Sequence, residues 1–260
     1  MTLAVDDSGT GGPVVVCLPM FGMTRVATAV AFAPAFAGTG LREVYPDLPG
    51  HGDSPAVCPA RSVAVLETVC GWLDGYVDGP VLLAGGSYGG YLAAGIARRY
   101  PGRVAGLLLV NPGVRIAPSD RTLPEDAPPE APAGWLDAAP ASLREHFDAA
   151  LGNRTSEVVS TVLAALDAGG PGDEAFLTEL RGGAGYPLPD EDAEVGHPGP
   201  VSVVAGRQDG IVGYVDQFRA MDRYPRGTYT VVDSAGHYLP YEQPALLRAL
   251  THDWVRRIRA

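Results

Sequence analysis

Short runs of apolar residues recur along the chain, and most of them end at a glycine or a proline. A run of four to eight apolar residues with such boundaries is typical of a strand that is buried on both faces of a sheet. Thr2–Val5 is a candidate for an additional antiparallel edge strand. The six principal candidates are Val14–Leu18, Leu41–Tyr45, Val81–Ala84, Val104–Val110, Val201–Ala205 and Thr228–Val232.

Segments with apolar residues at helical spacing lie between several of these runs. Continuous apolar strands that alternate with helices are typical of a mostly parallel sheet with helices on both faces. The pattern therefore predicts an α/β fold. The clearest helical segments are Val63–Tyr76, Tyr88–Arg99, Val215–Met221 and Ala245–Ile258.

Residues 112–199 interrupt this alternation, because they contain no convincing strand. A proline-rich stretch is followed by three apolar helical faces, and Ser142-Leu-Arg-Glu145 has the form of a capping box at the start of the first. We therefore expect the chain to divide into a core, residues 1–111 and 200–260, and a helical cap, residues 112–199. Below, residues 112–199 are called the insertion.

Composition and charge narrow the range of functions. Of the 260 residues, 46% are apolar and 19% are charged, as in a globular protein. All 19 basic residues are arginines, which excludes Schiff-base and pyridoxal-phosphate lysines and Walker-type phosphate loops. A net charge of −11 makes nucleic acid and acidic membrane surfaces poor partners.

The cellular compartment follows from weaker signals. Three cysteines without C-x-x-C spacing are too few for a disulfide framework. The first residues contain no basic segment typical of a secretion signal, and the longest apolar stretch, Val26–Ala37, is too short to span a membrane. We expect a cytoplasmic protein with no membrane partner.

The net charge is unevenly distributed along the chain. The insertion contains 16 acidic residues and five arginines, a net charge of −11, whereas the remaining residues contain 14 of each. This charge either keeps a helical surface soluble or filters charged molecules at the entrance of a binding site. Acids that face an entrance would favour an uncharged substrate, whereas Arg115 or Arg207 at the mouth would reverse the sign of the field.

A candidate nucleophile lies between a predicted strand and a predicted helix, in Gly85-Gly86-Ser87-Tyr88-Gly89-Gly90. This is a G-x-S-x-G sequence in the strand–turn–helix context that exposes a reactive serine. The glycines on either side leave room for the tight turn, and the helix dipole stabilises negative charge near the serine. Ser87 is therefore the candidate nucleophile, with a plain glycine-rich turn as the alternative.

A nucleophilic serine requires a general base and an acid that orients the base. Among five histidines, His237 lies in a loop after the last candidate strand, from which it reaches the same sheet edge as Ser87. Asp209 follows the fifth candidate strand, and open α/β sheets hold their sites at the carboxyl ends of strands. Asp216 and Asp222 fall in a helical pattern and are expected to be solvated.

These segments resemble the α/β-hydrolase superfamily over nearly the whole predicted core. The Asp47–Ser54 segment is similar to the D-x-P-G-x-G-x-S loop of the esterase, haloperoxidase-like and C–C hydrolase branches. The resemblance implies the α/β-hydrolase fold and a catalytic triad of Ser87, Asp209 and His237. His51 and Asp53 could be mistaken for a metal pair, but without a third ligand they are expected to be structural, and no cofactor or metal ion is expected. The resemblance also implies an oxyanion hole formed by the backbone N–H groups of Phe21 and Tyr88. The segments that carry it are Leu18–Gly22, Asp47–Ser54, Gly85–Gly90, Gly206–Gly210 and Gly236-His237.

Together these features predict a serine hydrolase that cleaves an ester, thioester or lactone through an acyl-enzyme. Two alternatives stay open: C–C bond hydrolysis, acyl transfer or a non-hydrolytic step at the same site, and a ligand-binding protein with little turnover. The expected partner is a medium-sized, mostly apolar small molecule in a pocket formed by apolar faces of the insertion. Those faces contribute Phe147, Leu151, Val162, Leu166 and Phe176.

Overall fold

A central sheet organises the protein, and a computed structural model describes residues 2–9, 11–125 and 129–260. The strands of this part of the chain are β1 (Val5–Asp7), β2 (Val14–Leu18), β3 (Arg42–Pro46), β4 (Val81–Gly86), β5 (Val104–Val110), β6 (Val201–Gly206) and β7 (Gly227–Val232). They form one sheet in the order β1-β3-β2-β4-β5-β6-β7. β1 is antiparallel to β3, and every other neighbouring pair is parallel. The predicted α/β class is confirmed.

Helices connect the strands and cover the sheet. Three of the α-helices lie within the insertion, between β5 and β6, and the described part of the insertion contains no strand. Short 3₁₀ helices occur at Pro101–Arg103, Pro118–Asp120 and Ala220–Arg223. The α-helices are α1 (Arg25–Phe36), α2 (Ser62–Tyr76), α3 (Ser87–Arg99), α4 (Ala141–Ala150), α5 (Ser156–Asp167), α6 (Glu174–Gly182), α7 (Val215–Arg219), α8 (Leu239–Glu242) and α9 (Pro244–Arg259).

Both faces of the sheet are apolar, which explains the continuous apolar runs. Alternate residues of a strand point to opposite faces, so in β2 Val15 and Cys17 pack on the side of α1 and α9. Val16 and Leu18 pack on the other side, with α2 and α3. Trp254 of α9 is fully buried, and its indole N–H donates to the carbonyl oxygen of Pro200 at 3.1 Å. Burial on both faces leaves only strand ends available for a site.

The predicted edge strand starts later than expected. β1 shares only Val5 with the predicted segment Thr2–Val5 and continues through two aspartates. Polar residues are tolerated there because one edge of the strand faces solvent. Arg42 forms a salt bridge with Asp7 at 2.5 Å, and this bond lowers the pKa of the Asp7 carboxyl to about 2. Hydropathy alone therefore placed the edge strand too early in the sequence.

One predicted helix start is wrong, and one helix was not predicted. The predicted capping box is wrong, because α4 begins at Ala141 with Pro140 as its cap residue and no side-chain cap bond. Ser142 already lies inside the helix. The structure also contains α1, which was not predicted; Pro34 lies within it and disguises its helical pattern.

Two remaining observations concern the predicted compartment. Within the described residues, no helix combines the length and the apolar character that a membrane span requires. The three cysteines are free thiols, and Cys17 is the buried one.

Candidate active site

Ser87 lies on the tight turn between β4 and α3, in a backbone conformation that side chains rarely adopt, with φ of 49°. A Cβ atom at Gly89 would lie 2.2 Å from the carbonyl oxygen of Leu18, and one at Gly85 would lie 2.5 Å from the backbone of Gly89. Neither position accepts a side chain, because the backbone on each side cannot move away. The steric reason for the G-x-S-x-G spacing is therefore present in the structure.

Three strand ends bring Ser87, Asp209 and His237 together at one edge of the sheet. The Nε2 atom of His237 lies 2.9 Å from the Ser87 hydroxyl oxygen, and its Nδ1 atom lies 2.9 Å from Oδ2 of Asp209. Asp209 is fully buried, and its Oδ1 atom accepts from the N–H groups of Ile211 and Val212 at 2.8 and 3.0 Å. These bonds fix the carboxylate and leave one oxygen for the histidine.

Asn111, which follows β5 with φ of 43°, holds the loops around this arrangement. Its fully buried side-chain N–H₂ group donates to the carbonyl oxygens of Gly236 and His237, both at 2.9 Å. Its Oδ1 atom accepts from Gly206 N–H at 2.7 Å. Sequence analysis gave this residue no role, although its place at the end of the strand between β4 and β6 was a usable signal.

Glu242 of α8 connects the histidine loop to the insertion. Its carboxylate accepts backbone N–H groups from Gly236 at 2.9 Å, Gly152 at 2.8 Å and Asn153 at 2.7 Å. Burial nevertheless dominates over these three bonds and raises the pKa of Glu242 from its ordinary value of 4.5 to about 7. Sequence analysis missed Glu242 as well.

This raised pKa predicts a change of stability with pH. The folded protein binds the Glu242 proton more tightly than the unfolded chain does, so its stabilising effect is complete below pH 4.5 and is lost as the pH rises to about 7. Glutamine does not titrate, so raising the pH from 4.5 to 8 should reduce the unfolding free energy of the wild type relative to Glu242→Gln by about 3 kcal/mol. Urea denaturation across this range measures the difference. Parallel curves for the two proteins would contradict the expectation.

The two backbone amides expected to form an oxyanion hole both lie next to Ser87. Tyr88 is the second residue of α3, and Phe21 precedes Gly22, whose φ of 75° turns the chain there. Among the described residues, neither the Phe21 N–H nor the Tyr88 N–H has a hydrogen-bond acceptor. The Tyr88 side chain is fully buried, and its hydroxyl lies 2.9 Å from the Ser62 hydroxyl.

A cavity opens over Ser87, and His237 also lines it. We call it the Ser87 cavity. Its apolar walls are contributed by Met20, Phe21, Met23, Ile116, Tyr186, Ile211, Val212 and Tyr238. The apolar residues of the insertion that were predicted to form this lining are absent from it and pack in the core: Phe147, Leu151, Val162, Leu166 and Phe176.

His146 of α4 also lines the Ser87 cavity, although nothing in the sequence indicated this. Its Nε2 atom lies 3.0 Å from the hydroxyl oxygen of Tyr238. Burial lowers the pKa of His146, which favours the neutral imidazole. The side chain therefore offers a second polar group beside His237 without adding a positive charge.

The charge of the Ser87 cavity differs from the charge of the insertion. Arg121 and Arg181 line the cavity, and none of the described lining residues is acidic. Arg115 and Arg207, the arginines named from the sequence, do not line it: one pairs with Asp192, and the other lies over the Tyr214 ring. The cavity lining therefore carries positive charge, in contrast to the electronegative approach expected if the acids of the insertion face the entrance.

Asp216 also departs from expectation, because it is buried rather than solvated. Its carboxylate accepts from the N–H and hydroxyl groups of Thr122 at 2.7 and 2.8 Å and pairs with Arg219 at 3.0 Å. These contacts hold it apart from His237. Asp222 is exposed, as expected.

Among the side chains that the structure describes, no group of three or more histidine, cysteine or acidic residues is placed to hold a metal ion. His51 and Asp53, the pair most easily mistaken for ligands, have other partners. His51 Nδ1 lies 3.1 Å from the Pro49 carbonyl oxygen, and Asp53 pairs with Arg25 at 2.7 Å.

Comparison with known proteins shows that the sequence is similar to a family of hydrolases and to individual hydrolases. Residues 15–250 match a model described as the alpha/beta hydrolase family. The chain is 27% identical to the 2-hydroxy-6-oxononadienedioate/2-hydroxy-6-oxononatrienedioate hydrolase of Burkholderia vietnamiensis, over 97% of this chain and 90% of that protein. It is 35% identical to lipase LipV of Mycobacterium tuberculosis, but this match covers 40% of the chain and only 45% of the lipase.

The fold is also found in solved structures. The crystal structure of an alpha/beta superfamily hydrolase from Oenococcus oeni superimposes with a TM-score of 0.82, over 98% of this chain and 96% of that one. The two sequences are 22% identical, so this likeness concerns the fold alone.

Proposed function

The chain belongs to the alpha/beta hydrolase family, and on that premise we propose that it is a serine hydrolase that cleaves an ester, thioester or lactone of a small molecule. The observation that carries the proposal is the continuous hydrogen-bonded chain from Ser87 through His237 to Asp209, with 2.9 Å at each step. A solvent-accessible cavity lies over the serine end of this chain. The fold by itself would not specify such chemistry.

In the proposed reaction, the Ser87 hydroxyl oxygen attacks the substrate carbonyl while Nε2 of His237 takes the hydroxyl proton. Asp209 holds the proton on Nδ1, which leaves Nε2 free to accept. The negative charge that develops on the carbonyl oxygen is stabilised by the backbone N–H groups of Phe21 and Tyr88. His237 then returns the proton to the leaving group, and a water molecule releases the acyl group by the same steps in reverse.

We propose further that the insertion acts as a cap over the Ser87 cavity. One contact joins it directly to the histidine loop, because the N–H group of His237 donates to the carbonyl oxygen of Ala150 at 2.6 Å. A cap of this kind both excludes water and selects substrates. The insertion supplies five residues of the cavity lining: Ile116, Arg121, His146, Arg181 and Tyr186.

A second candidate is hydrolysis of a C–C bond by the same three residues. The observation in its favour is the Burkholderia relative, which aligns over 97% of this chain and whose named substrate is a hydroxy-oxo-dioate rather than an ester. A dienedioate of that type assayed beside simple esters separates the two candidates. Turnover of the dienedioate alone would favour the second.

A fluorophosphonate probe tests the proposed nucleophile directly. The hydroxyl oxygen of a serine activated by a base attacks the probe's phosphorus and expels fluoride, which leaves a phosphonate ester, so we expect one label per chain, on the peptide that contains Ser87. The urea-unfolded protein should not be labelled, because the hydrogen-bonded chain is then lost. A screen of p-nitrophenyl esters with increasing acyl length measures turnover in parallel. A label on any other serine, or equal labelling of the unfolded protein, would contradict the proposal.

A further inference from the structure

Two guanidinium groups lie in the Ser87 cavity beside the proposed nucleophile. Arg181, from α6, is exposed, and its guanidinium carbon lies 5.5 Å from the centre of the Phe21 ring. Arg121 is half-buried and lies in the first part of the insertion, before α4. Phe21 also carries one of the two proposed oxyanion amides, so Arg181 lies close to the position of the reacting carbonyl.

Neither arginine has a carboxylate partner among the residues that the structure describes. Arg121 donates only to backbone carbonyl oxygens, those of Arg115 at 3.3 Å, Ile211 at 2.9 Å and Ile116. Other arginines pair with acids: Arg99 with Asp190, for example, at 3.0 Å. The guanidinium groups of Arg121 and Arg181 are not neutralised in this way, and both line the cavity over Ser87.

The positive charge extends across the cavity. Arg181 contributes to lowering the pKa of His146 and opposes the rise in the pKa of Tyr186 and Tyr238, all of which line the same space. Asp209, the carboxylate of the proposed triad, is fully buried and bonded to Nδ1 of His237, and it forms no salt bridge with either arginine. The cavity is therefore locally cationic within a protein of net charge −11.

We infer that the substrate carries a carboxylate, held by Arg121 and Arg181 while its reacting carbonyl lies over Ser87. This inference rests on the proposed function. A guanidinium group binds a carboxylate through two parallel hydrogen bonds, which orients the substrate as well as attracting it. The apolar walls accommodate the rest of the molecule, and the acidic exterior disfavours ligands that carry several negative charges, such as phosphorylated esters.

The test compares two esters of equal acyl length: mono-p-nitrophenyl adipate, with a terminal carboxylate, and p-nitrophenyl hexanoate, with a methyl group. We expect the wild type to have the higher kcat/KM for the adipate ester, with a preference that weakens as salt is added. Arg181→Gln should reduce the adipate-to-hexanoate ratio by about tenfold or more, mainly through KM, because a charge-assisted bond is lost. Arg181→Lys keeps the positive charge and should retain part of the wild-type preference for the adipate ester.

Arg144→Gln is the matched control, because it also removes one arginine of the insertion. Arg144 is exposed, donates to the Ala139 carbonyl oxygen at 3.1 Å, and does not line the cavity. The adipate-to-hexanoate ratio of kcat/KM for Arg144→Gln should equal that of the wild type. Arg181 is the variant of choice because its side chain has no hydrogen bond to other described residues, whereas Arg121 supports the backbone of three others.

Equilibrium titration of Ser87→Ala with the two esters provides a readout that needs no turnover. Tighter binding of the adipate ester that depends on Arg181 supports the inference even if neither ester is hydrolysed, in which case the proposed function fails alone. Hydrolysis of both esters with equal kcat/KM, or a preference that Arg181→Gln does not change, overturns the inference and leaves the proposed function standing. If neither ester is hydrolysed and the adipate ester does not bind more tightly, both the inference and the proposed function are overturned.

Discussion

Replacing Ser87 with alanine is expected to lower kcat for the best ester substrate by about 10⁶-fold, because the acyl-enzyme can no longer form. The fold should persist. Alanine keeps the Cβ atom that the turn already accommodates at φ of 49°, and among the described residues the serine hydroxyl has a single hydrogen-bond partner, Nε2 of His237. Steady-state hydrolysis of the p-nitrophenyl ester, with thermal unfolding measured alongside, gives both quantities.

A second buried serine serves as the matched control. Ser202 lies in β6, is 2% exposed, and does not line the Ser87 cavity. Ser202→Ala removes the same atom from a similarly buried position and should keep kcat within a few-fold of the wild type. Activity of Ser87→Ala within tenfold of the wild type would place the nucleophile elsewhere, and equal losses in both variants would indicate damage to the fold.

The positions of Ser87, Asp209 and His237 could be predicted from the sequence for a geometric reason. Parallel strands end at one edge of the sheet, so polar residues that follow three such strands are brought close together. The turn at Ser87 adds a local constraint, because only glycine fits beside the approaching backbone of Leu18. Local sequence and global topology agree at these positions.

The lining of the Ser87 cavity could not be predicted in the same way. Arg121, His146 and Arg181 come from the insertion, where no sheet fixes which face of a helix meets the site. Amphipathic spacing indicated which residues are buried, and Phe147 is indeed fully buried. It did not distinguish burial in the core from exposure to the cavity. The apolar residues of the insertion were therefore predicted to line the cavity, whereas they pack in the core.

Charge counting misled for a related reason. The net charge of −11 on the insertion is an average over a surface, whereas a binding site responds to the few groups within one Debye length. Exposed acids such as Glu145 and Glu157 lie outside the cavity lining, and two arginines lie within it. The sign of the local field therefore depends on side-chain placement that composition does not report.

The acid of the proposed triad carries the second large expectation: Asp209→Asn should lower kcat by about 10⁴-fold while the protein stays folded. The reason lies in the two backbone bonds to Oδ1, from Ile211 and Val212 at 2.8 and 3.0 Å. These N–H groups require an acceptor, so the asparagine oxygen should take that place and turn its N–H₂ group toward His237. The amide would then donate to Nδ1 and leave the proton on Nε2, where the Ser87 hydroxyl needs an acceptor.

Asp216→Asn is the control that separates this effect from the loss of any buried carboxylate. Asp216 is also buried and also accepts a backbone N–H group, from Thr122 at 2.7 Å, but it is not bonded to His237. Its substitution should cost stability and leave kcat within a few-fold of the wild type. A large loss of kcat in Asp216→Asn with little change in Asp209→Asn would contradict the proposal, because it would show that Asp216 rather than Asp209 orients His237. Because both variants remove one buried negative charge, a difference between their kcat values isolates the hydrogen bond to the imidazole as its cause.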